Sequence, residues 1–223
     1  FDEAFDPFFR VNQGIITLTG GGGGGDDDDD ASVDGFLSSE DNATAAGIIR
    51  KEYLEAVYAL QQAIATTPAS DGTVLADVCF RPIPDKGCLI ETPLDFFRSN
   101  LTTIQQLTPA LIQDALSCRH ILGQTTIPCM SDIGVPVLPA VVLGGTGCPS
   151  ADIPGYNHSI CGGCGTAAQS LILTFLLQNT DETNARAETW EHDVFLPLMQ
   201  SFSFPGLRAT YMAERSISDE LAV

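Results

Sequence analysis

Hydrophobic and polar positions alternate in two distinct rhythms along this chain. Residues 8–19, FFRVNQGIITLT, are rich in β-branched and aromatic side chains and stop at Gly20, which predicts a first strand. In residues 45–66, Ile49, Tyr53, Val57, Leu60 and Ile64 recur at steps of three and four and predict a helix, ended by Pro68 and Gly72. A short strand is expected over 73–80, followed by an RPIPDKG turn between Cys79 and Cys88. Thr92 before Pro93 predicts a short helix over 93–99, and Thr108 before Pro109 predicts another from 109 to about 118. VLPAVVL, at 137–143, reads as a strand stopped by Gly144 and Gly145, and AAQSLILTFLLQ, at 167–178, as a long one. Residues 181–201 predict a helix with Trp190, Val194, Leu198 and Phe202 on one side, and Pro197 should kink it or mark its last turn. The alternating LRATYMAER, at 207–215, predicts the last strand.

With 69–135 set aside as an insertion of short helices, the order is strand, helix, strand, strand, helix, strand. That is the α+β, ferredoxin-like βαββαβ pattern, with right-handed crossovers. A single composite domain over 1–223 is expected, with its core in 8–68 and 136–215 and terminal stalk segments at 1–10 and 213–223. The first and last strands should end near each other, so both chain ends emerge side by side. Between the first strand and the first helix lie six glycines, 20–25, and five aspartates, 26–30, which bury nothing and predict a flexible loop. No run approaches the ~18 apolar residues of a membrane helix. The acidic, aromatic start also lacks the basic and apolar regions of an export signal, so a chain exported from the cytosol would be part of something larger.

Composition narrows the setting. The chain has 223 residues, 44% of them hydrophobic, enough for one sizeable core. Seven cysteines at short spacings and three N-x-S/T sequons, at Asn42, Asn100 and Asn157, point to a disulfide-bonded, glycosylated domain outside the cytosol. A net charge of −19 excludes nucleic acid as a partner and disfavours an anionic membrane surface. It fits solubility, and equally a domain working in an acidic lumen.

Candidate chemistry is sparse. Cys161-Gly-Gly-Cys164 lies in a glycine-rich loop before a strand, with no basic neighbour to stabilise a thiolate, so thiol-disulfide catalysis is not expected. Cys148, Cys161, Cys164 and His158 could supply four zinc ligands, but an oxidising compartment favours disulfides. His120, His158 and His192 have no partner at catalytic spacing, and His192, beside Glu191 and Asp193, is expected on a solvated face. The aspartate run lacks the alternating spacing of a calcium loop. The reading is a non-enzyme with no metal and no cofactor.

The two ends carry the most specific signal. FDEAFDPFFRVNQGII resembles the segment that opens the middle lumenal domain of Niemann-Pick type C sterol transporters, through Glu3, Phe5, Pro7, Phe8, Phe9, Arg10, Gln13, Ile15 and Ile16. AERSISDELA, at 213–222, resembles the segment that closes it; VCFRPIPDKGC is similar to the family's first disulfide loop, and LPAVVLGG to the strand after its second. The resemblance implies a porter-domain-like fold with protruding loops, held in a late endosomal, lysosomal or vacuolar lumen by a multi-span sterol (cholesterol) transporter. It implies a soluble Niemann-Pick type C sterol carrier as partner, docked by two protruding loops. The remaining partners are the rest of the transporter: its N-terminal sterol-binding domain, its other lumenal domain and its transmembrane helices. The loops map onto Gly20, Gly25, Asp26 and Asp30, and onto Leu107, Thr108, Pro109 and Leu111. Both lack the family's aromatic tips, and the Cys148, Cys161, Cys164 group is an addition; these departures count against recognition of a filovirus glycoprotein. Disulfides Cys79–Cys88 and Cys118–Cys129 are expected. A hairpin pairing Leu143 with Ala168 would favour Cys148–Cys164 as a third, with Cys148–Cys161 as the alternative. A receptor-type ectodomain of the Patched or Dispatched kind, on the same fold, is the competing reading.

Overall fold

The computed structural model describes residues 9–19, 47–83, 85–116, 130–145 and 168–213. They form β1 (Arg10–Leu18), α1 (Lys51–Thr66), α2 (Leu75–Val78), β2 (Ile90–Glu91), a 3-10 helix (Pro93–Phe97), α3 (Leu101–Gln105) and α4 (Pro109–Leu116). These are followed by α5 (Pro139–Val142), β3 (Leu143–Gly144), β4 (Ser170–Leu177), α6 (Asn184–Trp190), a π-turn (Glu191–Phe195), α7 (Leu196–Ser201) and β5 (Leu207–Met212). The fold mixes helices with one antiparallel sheet ordered β2-β4-β1-β5, with β3 also on β4.

The apolar pattern explains the layering. Along β1, Arg10, Asn12, Gly14 and Ile16 alternate onto the buried face, and β4 sends Leu171, Leu173, Phe175 and Leu177 the same way. α1 covers that face with Leu54, Val57, Leu60 and Ile64, and ends at Thr67 because the residue before Pro68 is driven out of helical geometry. The core centres on Phe175, Trp190 and Phe195, whose rings lie 5.8 to 6.4 Å apart. Gly14 lets Met199 approach β1 closely: a Cβ there would meet its terminal methyl at 2.6 Å, and the methionine would have to shift.

Two expected strands are absent. Residues 137–143 form the turn of helix α5, since Pro139 occupies its first position, and only Leu143 and Gly144 pair with β4. Residues 73–80 contain α2 instead, because the Asp77 carboxylate accepts the Val74 amide at 3.0 Å and so starts a helical turn; Cys79 alone bridges to Leu177. Leu143 lies opposite Leu171 rather than Ala168, which removes the register argument for Cys148–Cys164. The outer edge of β4 is thus closed by three short pieces: Cys79, β2 and β3.

The second long helix also departs from a regular period. The Leu196 amide donates to the Glu191 carbonyl, five residues back, immediately before Pro197, which has no amide to offer. The extra residue advances the buried stripe. Trp190 and Val194 are followed by Phe195 and Met199, while Leu198 and Phe202 are half-buried.

Glu191, fully buried at the start of this turn, accepts from Arg10 Nε at 3.0 Å and Nη2 at 2.9 Å, and from Asn12 Nδ2 at 3.1 Å. Arg10 Nη1 donates to Asn184 Oδ1 at 2.6 Å. Removing one partner of such a pair leaves a buried charge unmatched. Glu191→Ala should therefore lower unfolding free energy by about 3–5 kcal/mol in urea titrations. Lys51→Ala, which breaks an exposed pair at 4.0 Å, should change it by less than about 0.5 kcal/mol.

Candidate functional site

Two surfaces formed by described residues from α1 to α5 gather distinctive polar groups. The first is the corner between α3 and α4. Asn100 caps α3, its Oδ1 accepting from the Thr103 amide at 3.0 Å and the Thr103 hydroxyl at 3.3 Å. Thr108 starts α4, its Oγ1 accepting the Leu111 amide at 3.3 Å, with Pro109 next in line. α4 buries Ile112 and Leu116 and leaves Leu111 49% exposed. Leu107 packs half-buried on the core, whereas Thr108 and Pro109 are exposed. The corner is therefore a capped step that leaves Leu111 on α4 and Leu101 on α3 exposed. Asn100 is exposed, and its cap uses the oxygen rather than the nitrogen to which a glycan would be joined.

Cys79 and Cys88 are disulfide-bonded, with Cα atoms 5.4 Å apart. The bond ties the 79–88 loop to the outer edge of β4, where the Phe80 amide also donates to Leu176 at 2.8 Å. Gly20, Gly25, Asp26, Asp30, Asn42, Asn157, Cys118, Cys129, Cys148, Cys161, Cys164, His120 and His158 lie outside the described residues. His192 is exposed and pairs with Asp193 at 2.7 Å. Asp193 also accepts the Ser70 amide at 2.9 Å, and hydrogen bonds from Ser70 and His192 hold its carboxyl down at about 2.

The second surface is a cavity of about 260 Å³ between α1, α2, the disulfide loop and the 3-10 helix. Gln61, Gln62, Asp95, Ser99 and Asp132 are its polar lining, with Ala65, Leu75, Ile90 and Ile133 among the apolar walls. Asp95 is buried, and Ser99 Oγ donates to its Oδ1 at 2.8 Å. Burial pushes the Asp95 carboxyl up to about 7; the Ser99 hydrogen bond opposes the rise and the neighbouring Asp132 charge adds to it. Burial also raises Glu91, in β2 beside it. Among the described residues no three His, Cys, Asp or Glu side chains converge to hold a metal. Sequence reasoning missed Asp95, and the only local sign was a lone carboxylate inside the apolar PLDFF.

β1 and β5 supply the remaining geometry. Gln13 lies opposite Met212, so β1 begins and β5 ends at the same end of the sheet.

Comparison with known proteins decides the family. The family described as "NPC1, middle luminal domain" matches residues 1–215. The chain belongs to it. NPC intracellular cholesterol transporter 1 of Sus scrofa is 28% identical over 249 residues, covering 99% of this chain and 17% of the relative. NPC1-like intracellular cholesterol transporter 1 of Homo sapiens is 28% identical over 252 residues, with the same coverage. NPC intracellular cholesterol transporter 1 homolog 1 of Caenorhabditis elegans is 27% identical over 208 residues, covering 78% of the chain and 14% of the relative. The chain thus spans about one sixth of the length of the full transporters it matches. Within this NPC1 middle luminal domain, no helix among the described residues is long and apolar enough to cross a membrane.

The raised Asp95 carboxyl gives the domain a pH dependence whose sign is fixed. The folded state holds that proton up to about pH 7, whereas the unfolded chain releases it near 3.8. Its stabilising effect is complete below pH 3.8 and is lost as pH rises through 7, with a ceiling of about 4 kcal/mol. Urea titrations at pH 4.5, 6 and 7.5 should show stability declining over this interval in the native chain. In Asp95→Asn the decline should be largely abolished.

Proposed function

We propose that the chain is a non-catalytic lumenal domain of an intracellular sterol transporter. It docks a soluble sterol carrier so that sterol passes to the transporter for export from a late endosome, lysosome or vacuole. Family membership over residues 1–215 carries this reading. Three features support it. The chain enters β1 and leaves β5 at one end of the sheet, which suits a domain held between membrane segments by a paired-strand stalk. The order β2-β4-β1-β5, with β1 antiparallel to both neighbours, supports a ferredoxin-like, porter-type arrangement, in which β2 and β3 take the β4 edge where the sequence predicts a strand over 137–143. The cavity of about 260 Å³ is below the range of roughly 300–1,000 Å³ for pockets that enclose drug-sized ligands, which favours handing sterol on over enclosing it.

On this reading the partners are the carrier, the N-terminal sterol-binding domain, the other lumenal domain and the transmembrane helices. The Leu107–Thr108–Pro109–Leu111 corner supplies one docking element and the 20–30 tract the other. Glycans on Asn42, Asn100 and Asn157, and the bridge Cys118–Cys129, belong to the same lumenal setting.

Biolayer interferometry against the soluble carrier, at pH 5 and 7 and with and without bound sterol, tests the proposal. Leu111→Asp should weaken binding about tenfold or more. Replacing the aspartates at 26–30 by serine should alter mainly the association rate and its salt dependence. Absence of binding under all four conditions, or binding indifferent to both changes, would refute docking through these elements.

A further inference from the structure

We propose that the cavity beneath α1 is a binding site for a small organic cation, with ammonium N–H groups on Asp95 and Asp132 and an alkyl portion against Ala65, Leu75 and Ile133. The inference goes beyond the docking function and does not depend on it.

The lining is one-sided in its chemistry. Its acidic members are Asp95 and Asp132, and none of its residues is Lys, Arg or His. Arg98, three residues beyond Asp95, and Lys86, before Gly87 of the lining, are both exposed and are not among the lining residues. Asp95 is only 7% exposed, yet the hydrogen bond to it is from a neutral hydroxyl, that of Ser99. A carboxylate has about four acceptor sites, so an ionised Asp95 has capacity for further donors. Gln61, on the α1 wall and 4% exposed, carries an unpaired acceptor: its Oε1 has no hydrogen-bond partner. Buried acceptors left unpaired are costly, and a guest bringing N–H groups would relieve that cost.

The walls decide what kind of cation fits. Ala65, Leu75, Ile90 and Ile133 give nothing to a hydrated metal ion but provide apolar contact for a short alkyl chain. The volume of about 260 Å³ takes an alkyl chain of a few carbons together with its ammonium head. Asp132 is exposed at the rim and stays available to the head group, while Asp95 lies deeper. Among the described residues, the charged groups that line the cavities at Asp95 are Asp132, from the 131–133 turn, and Glu91, from β2; both are acidic. Because Asp95 holds its proton up to about pH 7, a bound ammonium must displace that proton, and occupancy should fall as the surroundings acidify.

The test uses the 223-residue chain and n-butylammonium chloride. Methyl-detected NMR titrations at pH 7.5 should give saturable shifts at Ile133, Leu75 and Ala65. At pH 5 the apparent affinity should be about tenfold weaker or more. Asp95→Asn should abolish the pH dependence and most of the binding, and Asp132→Asn should weaken binding a few-fold. Pentan-1-ol, of similar length and uncharged, should not saturate the same shifts. Any of three results would overturn the assignment: no saturable shift in the native chain, equal shifts with pentan-1-ol, or equal affinity at the two pH values. Should Asp95→Asn fail to fold, the native titrations, the alcohol control and Asp132→Asn decide the matter.

Discussion

The buried pair between Arg10 and Glu191 is the constraint on which the arrangement rests. Glu191 is fully enclosed, and both its oxygens are claimed by the Arg10 guanidinium. Such a pair tolerates little displacement, because any gap leaves two charges in a low-dielectric interior. It therefore fixes the first turn of the strand against one turn of the helix. Asn12 and Asn184 complete the contact from each side. The register of β1, and through it of β4 and β5, is set against the helix from that point. The π-turn belongs to the same device. It begins at Glu191 and ends before Pro197, so the irregular backbone lies where the helix meets both the ion pair and a residue without an amide.

The sheet and the long helices were legible because their side-chain periods are undisguised. The alternation in β1 and the three-and-four spacing of α1 each match one buried face. What failed were short segments whose apolar content is high but whose geometry is set by one residue. Pro139 turns VLPAVVL into a helical turn, and Asp77 does the same for the segment before Cys79. Hydrophobicity alone could not separate these from strands. The stripe of the second helix slipped for a related reason, since a π-turn adds a residue that no 3.6-residue period anticipates.

The candidate site was less legible than the fold. Thr108 and Pro109 announce a helix start in the sequence, and the structure places them at one. Asp95 and Glu191 announce nothing, because a carboxylate reads as a surface residue until the groups around it are known. Glu191 follows Trp190 on the helix, and only its long-range partner, 181 residues away, makes its burial intelligible. The cavity likewise draws on five separate stretches of chain, so no local motif could signal it.

The patchwork edge of β4 bears on how far this domain could be reduced. An engineer wishing to keep only the sheet and its two long helices would delete the segment between α1 and β3. That deletion would also remove Cys79 and β2, and with them most of the backbone partners along one side of the apolar strand SLILTFLL. A bare apolar edge invites pairing with another copy. The decorative-looking segment thus serves as the selvedge of the sheet, and a trimmed version would expose that edge to pairing between copies.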